Sequence, residues 1–205
     1  MSSRPAAALP RLHAVTDERI ARVPDLRRRA VALASAGPVA LHARGHTLTG
    51  REHLELAQLL AEASPRHLFV NDRLDVALAA GAAGVQLSTG GLTPKDARRL
   101  SPDWWIGASV HTLEEAAAAR DGGADYLLVG PVFATPTHPE APPLGVVALA
   151  RFVALGIPVV AIGGMTRANV RAARSAGAHG VAVIRALWDA PDSGLAAREM
   201  LREME

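Results

Sequence analysis

The chain has 205 residues, of which 49 % are hydrophobic and 20 % charged, a balance typical of one soluble globular domain rather than a disordered chain. It contains no cysteine, which excludes disulfide frameworks, cysteine nucleophiles and cysteine-ligated metal centres. The formal net charge of only +2 and the aromatic content of 3 % argue against nucleic-acid binding. No apolar run approaches the roughly 20 residues that span a bilayer. We therefore expect a cytoplasmic protein with neither nucleic-acid nor membrane partners.

Short apolar runs rich in Val, Ile and Leu recur along the chain and predict eight strands. Their bounds are 12–15, 39–41, 67–70, 85–87, 105–110, 126–129, 158–162 and 181–184. The runs do not alternate polar with apolar residues, which is typical of strands buried on both faces in a parallel sheet. Segments with helical spacing lie between them, for example at 51–63, 113–120 and 168–176. The predicted fold class is α/β, a single-domain (β/α)8 TIM barrel, with residues 1–10 as an N-terminal tail and 11–205 as the barrel domain.

A weak internal repeat supports this alternation of strands and helices. Gly81, Gly123 and Gly177 each open a similar segment just before predicted strands 4, 6 and 8. Glycine is favoured at such helix C-termini because the chain there often adopts a left-handed conformation. A doubly wound open sheet of the same elements is the rival architecture. We favour the barrel because residues 16–18, Thr-Asp-Glu, follow the first strand where a dinucleotide-binding sheet would carry a Gly-x-Gly-x-x-Gly fingerprint.

The ends of the predicted strands carry polar residues, and functional side chains of a barrel lie where its strands end. Several of these residues are cationic, which suits an anionic small molecule. The candidate substrate-binding residues are Arg44, Asn71, Asp72, Gln86, Ser109, Thr135 and Thr137.

The loops after strands 7 and 8 form a candidate phosphate site. Gly163 and Gly164 end strand 7, and Ile184 and Arg185 lead from strand 8 directly into a helical segment. In barrels these two loops commonly bind phosphate through exposed backbone N–H groups and a helix N-terminus. The alternative for the two glycines is a purely structural role in close packing.

Two histidines are candidates for catalytic proton transfer, because imidazole titrates near neutral pH. His42 shares one strand face with Arg44 at the i, i+2 spacing, and we expect both to face the site. His138 belongs to the proline-rich segment 134–144, which we expect to form a substrate clamp or lid. The loop after strand 4 offers no carboxylate to pair with Asp72, so we predict no metal site.

Five motifs, in order along nearly the whole chain, carry a family resemblance. They are Val-Asn-Asp-Arg-Leu-Asp-Val-Ala at 70–77, Gly-Val-Gln-Leu at 84–87, Ile-Gly-Ala-Ser-Val-His-Thr-Leu-Glu-Glu-Ala at 106–116, Ala-Asp-Tyr-Leu-Leu-Val-Gly-Pro-Val-Phe-Ala-Thr-Pro-Thr at 124–137 and Pro-Val-Val-Ala-Ile-Gly-Gly-Met at 158–165. The chain resembles the thiamine phosphate synthase and TenI family. This resemblance implies a (β/α)8 barrel of thiamine biosynthesis whose small-molecule partner is a phosphorylated thiazole.

The family resemblance implies one of two activities. The synthase couples hydroxymethylpyrimidine pyrophosphate to thiazole phosphate and expels pyrophosphate with Mg2+. The TenI-like branch converts a thiazole carboxylate phosphate to its aromatic tautomer by proton transfer, without metal.

Four positions bear on the choice between these activities. Family synthases resemble Gln-x-Arg-x-Lys at the end of strand 2, where this chain has His-Ala-Arg-Gly-His at 42–46. Gly91 stands where synthases place a magnesium-binding Asp, and His138 where they place a pyrophosphate-binding Lys. The usual tautomerase histidine would fall at Pro131.

The substitutions at 42–46, 91 and 138 lead us to expect a TenI-like thiazole tautomerase that needs no cofactor. Because Pro131 replaces the usual tautomerase histidine, we expect His42 or His138 to transfer the proton. The first alternative is a divergent thiamine phosphate synthase, which would use Mg2+. The second is a catalytically silent barrel that binds thiazole phosphate or thiamine phosphate. The sequence leaves the choice between a monomer and a homodimer open.

Overall fold

The computed structural model describes residues 8–135 and 142–205. Eight parallel strands close into a barrel in which each strand pairs with its neighbour in chain order and β1 pairs with β8. The strands are β1 (Leu12–Val15), β2 (Val39–Ala43), β3 (Leu68–Asn71), β4 (Gly84–Leu87), β5 (Trp105–Val110), β6 (Tyr126–Val129), β7 (Val159–Ile162) and β8 (Gly180–Val183). The α/β barrel prediction is confirmed, and the pairing of the first strand with the last excludes the open sheet.

Helices follow the strands and cover the outside of the barrel. They are α1 (Leu26–Ala34), α2 (Gly50–Ala63), α3 (Leu74–Ala79), α4 (Pro94–Leu100), α5 (Leu113–Asp121), α6 (Gly145–Val153), α7 (Arg167–Ser175), α8 (Arg185–Trp188) and α9 (Ser193–Arg202), with a 3-10 turn at Ile20–Arg22. Thr49, Thr93 and Thr112 begin α2, α4 and α5 with capping boxes, in which each threonine accepts from the backbone N–H three residues later. These caps fix where each helix starts relative to the strand before it.

Glycines end three of the helices as the repeat predicts. Gly81, Gly123 and Gly177 have φ values of +63°, +92° and +93°. Side chains rarely adopt this left-handed conformation, whereas glycine does so at little cost. The repeated glycines therefore turn the chain from α3, α5 and α7 back into the even-numbered strands.

Side chains on each strand alternate between two buried layers. One set, which includes Leu41, Val70 and Leu127, packs against the helices, while the other fills the barrel interior. The interior set contains His13 and His42 among the rings of Phe69 and Tyr126.

The strand bounds match the prediction to within two residues. The largest difference is β2, which continues through His42 and Ala43 where the apolar run stops. A polar residue is tolerated there because the barrel interior at that level contains other polar side chains that bond to it.

Among the described residues, no helix is long and apolar enough to cross a membrane.

Candidate active site

A cavity of about 850 Å³ opens at the end of the barrel where the strands terminate. Most of the predicted site residues in the described parts of the chain line it. These are Arg44, Asn71, Asp72, Ser109, Thr135, Gly163, Gly164, Ile184 and Arg185. The predicted residues Thr137 and His138 lie outside the described residues.

One wall of this cavity is the turn after β7, which is built so that backbone faces the ligand space. Gly163 and Gly164 have φ values of +95° and +62°. A Cβ added at Gly163 would lie 2.5 Å from the Pro131 Cα, and one at Gly164 would lie 2.4 Å from the Ala134 carbonyl oxygen. Both glycines are therefore required by conformation and by close approach to the loop after β6, so the packing alternative for them holds as well.

The same wall continues into the short helix after β8. The backbone N–H groups of Gly164, Ile184 and Arg185 have no acceptor in the described parts of the chain. The side chain of Arg185 is exposed at the cavity rim. Unpaired N–H groups next to a guanidinium form a local positive field that suits a phosphate.

The opposite wall is anchored by Asp72, which has a left-handed backbone with φ of +60°. Its N–H donates to the Gln86 carbonyl oxygen at 2.9 Å, and its Oδ1 accepts from the Ser88 N–H at 2.7 Å. These bonds tie the loops after β3 and β4 together. The second carboxylate oxygen of Asp72 has no hydrogen-bond partner among the described residues.

Gly91 lies across from this carboxylate. A Cβ at Gly91 would be 3.9 Å from Asp72 Oδ1, and its other contacts, with Ser88, begin at 3.4 Å. An aspartate at that position would thus face Asp72, as the family resemblance implies for synthases. No group of three or more metal-ligating side chains occurs in residues 8–135 and 142–205. Asp72 fits Mg2+ when the phosphate oxygens of a substrate supply most of the other ligands, an arrangement common for Mg2+.

Two predicted residues, His42 and Gln86, do not reach the cavity wall. Both side chains are fully buried in the barrel interior, one strand layer below Arg44 and Ser88. Side chains at i and i+2 share a face but are separated by about 6.6 Å along a strand, so only the outer member reaches the mouth. Gln86 Nε2 instead donates to Ser109 Oγ at 3.0 Å, beneath the cavity.

Burial determines the charge of the interior histidines. It lowers the pKa of His42 to about 4, assisted by the nearby Arg44 charge. Burial and the neighbouring His42 hold the pKa of His13 well below its ordinary value. Both rings are therefore neutral at pH 7, and His42 is not placed to exchange a proton with a ligand in the cavity.

Other residues at the cavity were absent from the set of predicted site residues. His46, Thr89 and His111 line it as well. His111 Nδ1 donates to the Gly130 carbonyl oxygen at 2.8 Å, and Thr89 Oγ1 donates to the Ser109 carbonyl oxygen at 3.1 Å. All three follow a strand end closely in the sequence, and this position could have identified them. His46 lies three residues beyond β2, Thr89 two beyond β4 and His111 one beyond β5.

Comparison with known proteins places this barrel in a family. The sequence model described as thiamine monophosphate synthase (TMP-TENI) matches residues 12–187. The chain belongs to the thiamine monophosphate synthase family. Membership makes it a TIM-barrel enzyme of thiamine biosynthesis, as the resemblance implies.

Relatives within the thiamine monophosphate synthase family carry synthase names. The thiamine-phosphate synthase of Pyrococcus furiosus is 37 % identical over 199 residues, which are 95 % of each chain. The solved structure of thiamine phosphate pyrophosphorylase from Pyrococcus furiosus has a TM-score of 0.83 at 35 % identity and covers 95 % of each chain. The thiamine biosynthesis bifunctional protein ThiM/ThiE of Symbiobacterium thermophilum is 49 % identical over 157 residues, but this chain spans only 33 % of its length. These names favour the synthase alternative, and none of them points to the tautomerase branch.

Proposed function

We propose that this chain is a thiamine-phosphate synthase, a transferase that joins hydroxymethylpyrimidine pyrophosphate to thiazole phosphate. The observation that carries the proposal is one cavity with two polar walls, one suited to a phosphate directly and one suited to a phosphate that carries Mg2+. Unpaired N–H groups after β7 and β8 form one wall, and Asp72 with the polar loop after β4 forms the other. Coupling needs both substrates in one space, each carrying phosphate at its far end.

The first wall is proposed to hold the thiazole phosphate. Gly164, Ile184 and Arg185 would donate their unpaired backbone N–H groups, Gly163 would keep this wall free of a side chain, and the Arg185 guanidinium would add positive charge. Fixed donors of this kind bind an anion without the reorganisation that water would need. The thiazole ring would then extend from this wall towards the centre of the mouth.

The second wall is proposed to hold the pyrimidine pyrophosphate. Asp72 would bind Mg2+ jointly with the pyrophosphate oxygens, and Mg2+ when bound would neutralise the charge of the leaving pyrophosphate. Arg44, His46 and His111 face the same space and supply donors near it. Arg44 would neutralise part of the pyrophosphate charge, and His46 stands where the resemblance implies a lysine.

The coupling chemistry suits a site without a general base. The thiazole ring nitrogen forms a bond to the pyrimidine methylene carbon, the carbon–oxygen bond to pyrophosphate breaks, and the electron pair leaves with pyrophosphate. No proton is transferred in this step, because the nitrogen that attacks carries none. The buried, neutral position of His42 is compatible with coupling, whereas tautomerisation requires an acid and a base in contact with the substrate.

Tautomerase activity is the second candidate, and one observation favours it. Gly91 leaves Asp72 without the partner carboxylate of a two-aspartate magnesium site. A tautomerase would not need that partner.

A substitution at Asp72 tests the proposal. We expect the purified protein to release pyrophosphate from hydroxymethylpyrimidine pyrophosphate only when thiazole phosphate and Mg2+ are present. Asp72→Asn should lower kcat/KM by about 100-fold or more, because a ligand to the metal is lost. Asp75→Asn is the matched control, since Asp75 lies on α3 and pairs with Arg73 at the surface. Equal activity of Asp72→Asn and Asp75→Asn would contradict the proposed role of Asp72.

A further inference from the structure

Two buried histidines connect the barrel interior to the cavity wall. His13 Nε2 lies 3.0 Å from the Pro10 carbonyl oxygen, and His13 Nδ1 lies 2.8 Å from His42 Nε2. His42 Nδ1 lies 3.2 Å from Asn71 Oδ1, and Asn71 lines the cavity. The chain Pro10, His13, His42, Asn71 thus runs from the closed end of the barrel to the ligand space.

The Pro10 carbonyl oxygen at one end of this hydrogen-bonded series fixes the direction of every hydrogen bond in it. A carbonyl oxygen can only accept, so His13 must carry its proton on Nε2. A neutral His13 then has a bare Nδ1, which can only accept, so His42 must donate to it from Nε2. A neutral His42 in turn has a bare Nδ1, which faces Asn71 as an acceptor.

Both rings are held neutral by their surroundings. Each has 0 % exposure, and Phe69 stacks on His42 with ring centroids 5.0 Å apart and an angle of 15°. No carboxylate among the described residues hydrogen-bonds to either ring, and the charge that acts on the pKa of His42 is the cation Arg44. A second proton on His42 would be buried without a counter-charge, which is costly.

The amide of Asn71 completes the chain. An amide's oxygen and nitrogen are distinguished by the partners they meet, and a bare Nδ1 requires a donor. The Asn71 NH2 group must therefore face His42, which turns its carbonyl oxygen towards the cavity. With Oδ1 towards His42, as the 3.2 Å contact stands, two lone pairs would oppose each other, and turning the amide by 180° replaces this repulsion with a hydrogen bond.

We propose that His13 is a positioning residue that, through His42, fixes the Asn71 amide with its oxygen towards the ligand and so selects a ligand carrying an N–H donor at that point. The ligand's identity rests on the proposed function, in which the donor is the ring amino group of the pyrimidine substrate. An analogue with a ring carbonyl in place of that amino group would meet the Asn71 oxygen with a second acceptor. The protonation pattern of the histidine pair is independent of the proposed function.

The pattern can be read directly from the imidazole nitrogens. We would record long-range 1H–15N spectra of the ligand-free, full-length protein with 15N-histidine at pH 7.5, and assign the two rings by His13→Gln and His42→Gln. We expect both rings neutral, with the proton on Nε2 in each. A proton on His42 Nδ1, whether in the neutral or the doubly protonated ring, would overturn the inference even if the protein proves to be a synthase.

Variants at His13 test the effect on selectivity. His13→Gln keeps one donor for Pro10 and one acceptor for His42, whereas His13→Phe fills the space without either. We expect His13→Phe to lose about 10-fold of the preference for hydroxymethylpyrimidine pyrophosphate over its ring-carbonyl analogue, the worth of one hydrogen bond. The loss should appear in KM for the pyrimidine substrate rather than in kcat, and His13→Gln should restore it.

A merely structural role for His13 gives a different result. It would lower the melting temperature of His13→Phe and leave the preference between the two pyrimidines unchanged, which would overturn the assignment. If wild-type protein turns neither pyrimidine over, the same preference is measured as binding by calorimetry, and the histidine spectra still decide the protonation pattern. Failure of the proposed function is thereby separated from failure of this inference.

Discussion

Acidification is expected to destabilise the fold through His42. Because the pKa of the buried ring is about 4 and that of an unfolded histidine about 6.5, the unfolded chain binds the proton first as the pH falls. The contribution of neutral His42 to the free energy of unfolding is therefore retained above pH 6.5. It declines as the pH falls below 6.5, and the decline due to His42 ends near pH 4. The complete loss from His42 is about 3 kcal/mol, of which about 2 kcal/mol has occurred by pH 5. His13, whose pKa is lowered as well, adds to the decline.

Urea unfolding at pH 7.5 and pH 5.0 measures this loss. The comparison is between wild type and His42→Gln, with His46→Gln, an exposed histidine at the cavity, as the matched control. We expect His42→Gln to lose about 2 kcal/mol less than wild type over this interval, since glutamine does not titrate. Contributions from carboxylates cancel in the difference between the variants. The same pH-dependent loss in wild type and His42→Gln would refute the reasoning.

Three further predictions concern glycines. Gly91→Asp should lower the Mg2+ concentration needed for half-maximal coupling by about 10-fold, because a second carboxylate then faces the metal, whereas the isosteric Gly91→Asn should not. A shift with the uncharged variant would contradict this. Gly164→Ala should abolish thiazole phosphate binding in calorimetry, because its Cβ would lie 2.4 Å from a carbonyl oxygen; Gly156→Ala, also at positive φ but with open space around it, should bind normally. Gly107→Ala should lower the free energy of unfolding by about 1–3 kcal/mol in urea titrations through overpacking, because its Cβ would lie 2.2 Å from the Tyr126 ring. Unchanged stability would show that the Tyr126 ring moves aside.

Much of the barrel could be predicted because the physical signals are local. Apolar runs mark strands buried on both faces, and glycines at 81, 123 and 177 mark left-handed turns, which the structure places before β4, β6 and β8. Strand bounds were harder to predict where a polar residue lies in the barrel interior. His42 ended the predicted second strand early, although it bonds to other interior groups and continues β2.

The sequence predicts which strand ends form the site, but not how deep each side chain lies in the barrel. The strand-end rule identifies Asp72, Gly164 and Arg185 at the mouth, since loop residues beyond a strand face the cavity. It does not distinguish the last inward residue from the layer beneath it, so Gln86 and His42 were expected at the mouth and lie below it. The level of each side chain in the barrel depends on the register between neighbouring strands, which is known only once the barrel is closed.

His13 shows the other limit of sequence reasoning. It lies in the middle of an apolar strand and pairs with a residue 29 positions away. A lone histidine in such a run gives no indication of its partner. The interaction becomes visible only when β1 and β2 are aligned, with Val15 opposite His42.

The comparisons and the geometry together favour the synthase over the tautomerase. The substitutions at Gly91 and His138 led to the tautomerase expectation, because each removes a group that supports coupling. A relative that matches 95 % of the chain is named a synthase, and His42, one of the two histidines expected to transfer the proton, is buried below the cavity. In the proposed synthase, substrate phosphate oxygens would supply most of the Mg2+ ligands beside Asp72.

The measurement that tests the central claim most directly is time-resolved 31P and 1H NMR of the protein in one mixture. The mixture contains the non-aromatic thiazole carboxylate phosphate, aromatic thiazole phosphate, hydroxymethylpyrimidine pyrophosphate and Mg2+. The account predicts that pyrophosphate and thiamine phosphate appear together in equal amounts, and that removing Mg2+ stops both. Conversion of the non-aromatic carboxylate to its aromatic tautomer without release of pyrophosphate would contradict it and establish the tautomerase instead.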